Sequence, residues 1–183
     1  PHIERGGLLL LNGEDPELAS IQSGVHRVIR VGFTKPTCDV TAEQIWCHEN
    51  GTAFRLNGQE LFETQLIGRH NLIHILFAIE TARRLGIEIP MLQKSLTSFK
   101  AVPGRLQIKK MDELVFVDDS YNSNPTSFDA ALETLKNMKV RGRKGVVCGD
   151  MLELGEHSEE LHRKLGQSLA KLKLAYVVAA GSQ

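Results

Sequence analysis

The chain has 183 residues, 42% hydrophobic and 24% charged, with 22 basic and 22 acidic side chains. That balance suits a globular protein able to bury a core, and it carries no bulk basic footprint for nucleic acid or an anionic membrane surface. No apolar run approaches the roughly 20 residues of a spanning helix, no charged-then-apolar leader opens the chain, and Cys38, Cys47 and Cys148 fit no zinc or redox spacing; the expectation is a cytoplasmic protein with reduced thiols and neither membrane nor nucleic-acid partners.

Pro1 stands where an initiator methionine would, which points to a piece of a longer polypeptide. Leu8 to Leu11 read as a buried strand running into a polar turn, and "HRVIRVGF" (26–33) alternates as a second strand. Residues 41–66 hold two alternating segments around Asn50-Gly51, a strong hairpin signal, with a further turn at Asn57-Gly58. An antiparallel, strand-rich first part is therefore expected.

The period then changes. Leu72, Ile75, Leu76, Ile79, Ala82 and Leu85 recur at helical spacing within 69–87, with Gly86 as a stop. Pro90 opens a shorter helix over 90–100. "AVPGRLQ" (101–107) is punctuated as a loop or hinge. Beyond it come a strand (114–117), a polar turn, a helix (about 126–138), a strand (144–150), the loop "MLELGEHS", a helix (159–172) and a last strand (175–181). Strands alternating with helices predict a three-stranded parallel sheet with crossover helices, small enough to look incomplete. Domains of 1–100 and 101–183 are expected.

Ligands of open parallel sheets sit beyond the carboxyl ends of the strands. "DDSYNSNPTS" and "GDMLELGEHS" both come after such strands, so both are expected at one edge of the sheet. Asp119 offers a carboxylate to sugar hydroxyls, and Asn122 and Asn124 offer donors and acceptors. Turn chemistry competes for some of these residues: Asn124-Pro125 is a turn pair, with Thr126 or Ser127 as helix cap. The adjacent acids Asp118 and Asp119 repel each other unless a cation or a donor compensates. Arg105, after the Pro103-Gly104 turn, could present its planar fork to phosphate or remain a solvated surface charge. Asn71 lies at a helix start with His74 one turn on; two histidines, His70 and His74, lie four apart, but no third metal ligand is near, and no metal site is expected. Met151, Leu152 and Leu154 read as loop packing, and Glu153, Glu156 and His157 as polar lining or a solvated loop. No G-x-x-x-x-G-K-[ST] phosphate loop is present.

"GRHNLIHILFAIETARRLGI", "AVPGRLQ", "VFVDDSYNSNPTSFDAALETL" and "CGDMLELGEHSEELH", in this order and spacing, resemble the Mur ligases of peptidoglycan synthesis. Within that family the closest resemblance is to the members that join D-alanyl-D-alanine to UDP-N-acetylmuramoyl-tripeptide. The resemblance implies an α/β chain: the strand-rich end of the central ATPase domain, then an incomplete Rossmann-like C-terminal domain. It implies an ATP-dependent amide-bond ligase working through an acyl phosphate, with magnesium, acting as a monomer in the cytoplasm.

On the same resemblance, Asn71 falls on the first Asn of the adenine-lining His-Asn-x-x-Asn motif. His74 replaces the second, a departure from the family pattern. Arg105 matches a nucleotide-contacting arginine, Asp119 the acid on the ribose hydroxyls, and Tyr121, Asn122 and Asn124 the rest of that loop. Asp150, Glu153 and Glu156 match a loop facing the substrate side. The phosphate loop and magnesium ligands are expected upstream, so no catalytic residue is assigned here and these 183 residues alone are not expected to ligate. Two other readings remain: a non-catalytic binding or scaffold module derived from such a ligase, and a sister amide ligase of the folylpolyglutamate type.

Overall fold

The computed structural model describes residues 3–182. The chain divides into two units. The first comprises Pro1–Trp46, Thr52–Gln65 and His70–Phe99; the second comprises Cys47–Gly51, Leu66–Arg69 and Lys100–Gln183.

In the first unit β1 (Leu8–Asn12) leads to a one-turn helix α1 (Pro16–Ala19), which starts where Asp15 accepts hydrogen bonds from the Glu17 and Leu18 amides. β2 (Arg27–Gly32), β3 (Val40–His48), β4 (Gly51–Leu56) and β5 (Glu60–Thr64) complete a five-stranded sheet in sequence order. The expectation of antiparallel strands holds only for its later part. β1, β2 and β3 run parallel, while β4 and β5 are antiparallel about Asn57-Gly58. Parallel strands normally need a long crossover. Here β3 overlaps β2 only at Val31↔Val40 and Gly32↔Thr41, so the short loop between them does not have to travel back along β2.

The hairpin turn is built by its residue types. Asn57 and Gly58 both take positive φ (50° and 76°), and the Asn57 side chain accepts the Thr41 amide at 2.7 Å. Phe54 and Phe62 lie directly opposite in the β4–β5 ladder, both fully buried, with rings stacked at 5.6 Å. α2 (Arg69–Arg84) buries Leu72, Ile75, Leu76 and Ile79, four of the positions marked by the helical period. Glu80 is buried on the same helix and accepts from Arg83 at 3.1 Å and Arg84 at 2.7 Å, so its charge is paired where it cannot be hydrated. α3 (Ile89–Ser98) comes next and is tied to β5 by Gln93 donating to the Leu61 carbonyl.

The second unit contains a strand that sequence patterning missed. β6 (Gln107–Met111) pairs antiparallel with β7 (Leu114–Asp118) through a two-residue turn in which Asp112 takes φ 53°. After β7 come α4 (Pro125–Asn137), β8 (Gly145–Gly149), a 3-10 turn (Gly155–His157), α5 (Ser158–Ala170) and β9 (Tyr176–Ala180). β8 and β9 pair in parallel, as alternating strands and helices predict. β7 does not join them in a three-stranded parallel sheet: among the described residues its paired neighbour is β6. The backbone groups along β7 meet the short hairpin partner that lies just beyond the Pro103-Gly104 turn, a local pairing that forms at low entropic cost.

Two apolar clusters hold this unit. Leu132, Met151, Leu165 and Leu169 form one between α4, α5 and the end of β8. Ile67, Leu106 and Met138 form the other, with Cys47, Ile108 and Val117 packed against it, so segments 47–51 and 66–69 join this unit although they lie earlier in the chain.

Candidate functional site

The turn after β7 answers the charge problem set by adjacent acids. Asp118 is met by a cation: Lys109 on β6 donates to its carboxylate at 2.5 Å, while the Ser120 amide and hydroxyl donate at 3.1 Å and 2.7 Å. These donors hold its pKa at about 2, below the ordinary 3.8. Asp119 is met by a backbone donor instead. Its Oδ1 accepts the amide of Leu106 at 3.0 Å, so the acid that ends the β7 motif ties down the turn at 102–106.

That turn is demanding. Gly104 and Leu106 both take positive φ, 70° and 46°, the second on a buried non-glycine residue. Tyr121 donates its amide to the Gly104 carbonyl at 3.1 Å, and a Cβ on residue 104 would stand 3.0 Å from the Tyr121 nitrogen. The glycine is needed for both φ and space. One residue on, the Arg105 guanidinium lies 4.1 Å from the centre of the Tyr121 ring, a cation–π stack on an exposed tyrosine. Arg105, Asp119 and Tyr121 therefore share one small surface at the carboxyl end of β7. It offers a fixed cationic plane, an aromatic face and a carboxylate, groups that suit an anionic, base-bearing ligand.

The asparagines divide. Asn122 is exposed, and its Oδ1 accepts the neighbouring Ser123 amide. Asn124 is the N-cap of α4: its side chain accepts the Ser127 amide at 2.8 Å, while Ser127 Oγ accepts the Asn124 amide at 3.0 Å. This reciprocal box, with Pro125 in the first turn, engages the Asn124 side chain in starting the helix.

Acidification provides a test of the Asp118 arrangement. A carboxyl whose folded pKa is depressed adds stability above its unfolded pKa of 3.8, and loses it as pH falls through the folded value of about 2. Lys109→Met is expected to flatten the stability profile between those values. The loss at neutral pH should stay below about 1 kcal/mol, because the pair is partly hydrated. Denaturant midpoints measured from pH 5 to pH 2 check this; an unchanged slope in the variant refutes it.

The second loop, residues 150–157, begins at the end of β8. Asp150 accepts the Ser182 amide at 2.8 Å and its hydroxyl at 3.1 Å, which directs this side chain toward the end of β9. Met151 is buried in the α4–α5 cluster, and Leu154 packs partly against it. Leu152, expected to pack, is instead 75% exposed, because the backbone turns out at Glu153, whose φ is 61°. Glu153 and Glu156 are exposed. The Met151 amide donates to His162 Nε2 at 2.8 Å.

In the first unit, Asn71 and His74 lie three apart at the start of α2 and so on neighbouring positions of one face. Asn71 is half-buried and His74 exposed. Among the described residues no group of three His, Cys, Asp or Glu side chains could hold a metal. Lys109 and His162 are absent from the residues that sequence reasoning singles out. Their signals are a lysine diagonal to an acid across a hairpin, and a histidine eleven residues beyond the amide it accepts.

A model of the "Mur ligase, glutamate ligase domain" matches residues 104–183. Over 99% of its length the chain is 32% identical to UDP-N-acetylmuramoyl-tripeptide–D-alanyl-D-alanine ligase of Escherichia coli K12, covering 41% of that protein. It superimposes on the crystal structure of MurF from Acinetobacter baumannii with a TM-score of 0.82 and 31% identity, over 99% of this chain and 40% of that one. The fold is also that of a MurF ligase from Thermotoga maritima solved in complex with ADP, at a TM-score of 0.78 and 24% identity over 98% of this chain and 45% of that one. The chain thus spans about two fifths of the length of the relatives it matches.

Proposed function

We propose that the chain belongs to the Mur ligase family, whose glutamate ligase domain model matches residues 104–183, and that it forms part of an ATP-dependent ligase joining D-alanyl-D-alanine to UDP-N-acetylmuramoyl-tripeptide. The observation that carries this reading is the 32% identity to such a ligase over 99% of the chain. The grouping of Arg105, Tyr121 and Asp119 supports it, since an anionic, base-bearing nucleotide is the ligand those groups suit.

ATP would supply the phosphoryl group that activates a carboxylate for attack by an amine. This chain's residues would bind and orient. Arg105, braced on Tyr121, would face phosphate or sugar oxygens with a fork whose direction is already set, so little rotamer entropy is lost on binding. Asp119 spends Oδ1 on the Leu106 amide, and its second oxygen would accept from ribose hydroxyls. Asn71 and His74 would line the adenine, with Asn122 beside the nucleotide; His74 makes one ring hydrogen bond of either kind at a time, where an amide donates and accepts together. Glu153 and Glu156 would face the peptide substrates, with Asp150 holding the start of their loop. The sequence has no Gly-x-x-x-x-Gly-Lys-Ser/Thr run, and the family resemblance assigns the triphosphate grip and the magnesium ligands to residues upstream of these 183. The enzyme is proposed to act as a cytoplasmic monomer.

The test is reconstitution of the complete polypeptide containing these residues with UDP-N-acetylmuramoyl-tripeptide, D-alanyl-D-alanine and ATP. ADP release that depends on the dipeptide, with a nucleotide product heavier by that dipeptide, is expected. Glutamate addition to a folate in its place would move the protein to the folylpolyglutamate type, and no turnover with any acceptor would favour a non-catalytic module. Arg105→Ala should raise the KM for ATP about tenfold, the effect of losing one charge-assisted contact of about 1.4 kcal/mol. An unchanged KM for ATP removes Arg105 from the nucleotide site.

A further inference from the structure

His162 stands on the second turn of α5 and faces back to the 150–157 loop. Both ring nitrogens are engaged. Nε2 meets the backbone amide of Met151 at 2.8 Å, and Nδ1 meets the Ser158 carbonyl at 2.8 Å. The partners determine the protonation. A backbone amide can only donate, so Nε2 must be bare; a carbonyl can only accept, so Nδ1 must carry the proton. The arrangement admits one form of the ring, the neutral Nδ1–H tautomer.

This bond lies at the junction of loop and helix. His157, at the N-cap of α5, makes no side-chain cap, so the junction is stitched from inside the helix by His162. Met151 is 2% exposed, which leaves its amide dependent on a protein acceptor. Immediately after it the backbone passes through two left-handed residues, Glu153 at φ 61° and Gly155 at φ 57°, and turns Glu153 and Glu156 outward. A non-glycine residue in that region persists where its surroundings hold it. The loop start is held at Asp150 by Ser182 and at Met151 by His162.

We propose that His162 is a positioning residue: as its neutral Nδ1–H tautomer it anchors the Met151 amide, and through it sets where Glu153 and Glu156 stand toward the peptide substrates. This rests on the substrate-side reading of the loop. In this role His162 acts through the Met151 amide and not by contact with substrate or nucleotide. His162→Phe fills the same space and deletes the acceptor, leaving the Met151 amide unpaired. His162→Gln keeps an acceptor within reach of that amide.

In the complete ligase, His162→Phe is expected to raise the KM for the peptide substrates about tenfold with the KM for ATP unchanged, and His162→Gln to restore most of the loss. In the wild-type protein, long-range proton–nitrogen spectra should show His162 protonated at Nδ1 and bare at Nε2, and the Met151 amide should be protected from exchange. Peptide KM values equal to wild type in a folded His162→Phe protein overturn the positioning role; a ring protonated at Nε2 overturns the anchor. Should the wild-type protein ligate nothing, the ligase reading falls by itself, and the anchor is still decided by the spectra and the Met151 exchange rate.

Discussion

Asp119→Ala in the complete polypeptide, proposed to be a ligase, is expected to lower kcat/KM for ATP by about 100-fold or more. Two losses combine. On the proposed nucleotide site, the ribose would lose its carboxylate acceptor, a charge-assisted contact of about 1.5–3 kcal/mol. The Leu106 amide also loses the acceptor that the Asp119 carboxylate provides, and a buried donor left unpaired costs about 1–3 kcal/mol. Leu106 is held at φ 46° in that bond, so its release loosens the turn that aims Arg105 at the Tyr121 ring.

Asp119→Asn separates the two. An amide oxygen still accepts from Leu106, so thermal stability should stay within about 0.5 kcal/mol of wild type, while the loss of negative charge at the ribose still weakens ATP binding about tenfold. Steady-state kinetics with ATP, alongside thermal denaturation of both variants, check this. Equal kinetic damage in the two variants would assign the whole effect to charge. An Asp119→Ala protein with wild-type kcat/KM would remove Asp119 from the site altogether.

Phe54→Ala is expected to be the most damaging change to stability, at about 3–5 kcal/mol. Phe54 is fully buried in β4, and its ring stacks on the equally buried Phe62 of β5 at 5.6 Å with planes 14° apart. Alanine leaves a cavity against Phe62 and removes the aromatic pair as well as the buried area. Many domains have a total stability of only about 5–15 kcal/mol, so the first unit should be close to unfolding at about 37 °C. Phe116→Ala is the control: Phe116 is a β7 residue at 46% exposure, so its truncation should cost much less. Urea midpoints compare them directly; similar losses would show that burial does not set the difference.

The conformation of Leu106 illustrates how the turn motif and the fold depend on each other. A leucine at positive φ would relax unless something holds it. Here the Asp119 carboxylate, Ile67 and Met138 all hold it, the last two by packing from segments distant in sequence. Arg105 lies in sequence between Gly104, which accepts the Tyr121 amide, and Leu106, which donates to Asp119, so the site's geometry comes from a turn that the body of the second unit keeps in place.

Local chemistry was legible in the amino-acid order. Leu72, Ile75, Leu76 and Ile79 marked α2 because a helical period repeats every few residues and needs no knowledge of the partner. Asn124-Pro125 marked the turn into α4, although the cap is Asn124 itself and not Thr126 or Ser127, because Ser127 stands at the third helical position and answers Asn124 in the capping box; Asn57-Gly58 marked the β4–β5 turn. The ordered motifs through Arg105, Asp119 and Tyr121 were enough to suggest a family and a nucleotide-facing loop.

Tertiary structure alone decided the rest. Strand direction is not written in a strand's own residues, so β1–β2–β3 came out parallel, and β7 paired with a β6 that "QIKKM", its alternation broken by Lys109-Lys110, did not announce. The donors that reach Asp118 and Asp119 from beyond their own turn are Lys109 and the Leu106 amide, and a backbone amide leaves no mark in a sequence because every residue but proline has one. For the same reason His162 could be found only where folding brings the Met151 amide to its ring. Residue types determined which groups were present for a site; the long-range hydrogen bonds, whose partners the folded backbone selects, determined which of them remain turned outward to a ligand.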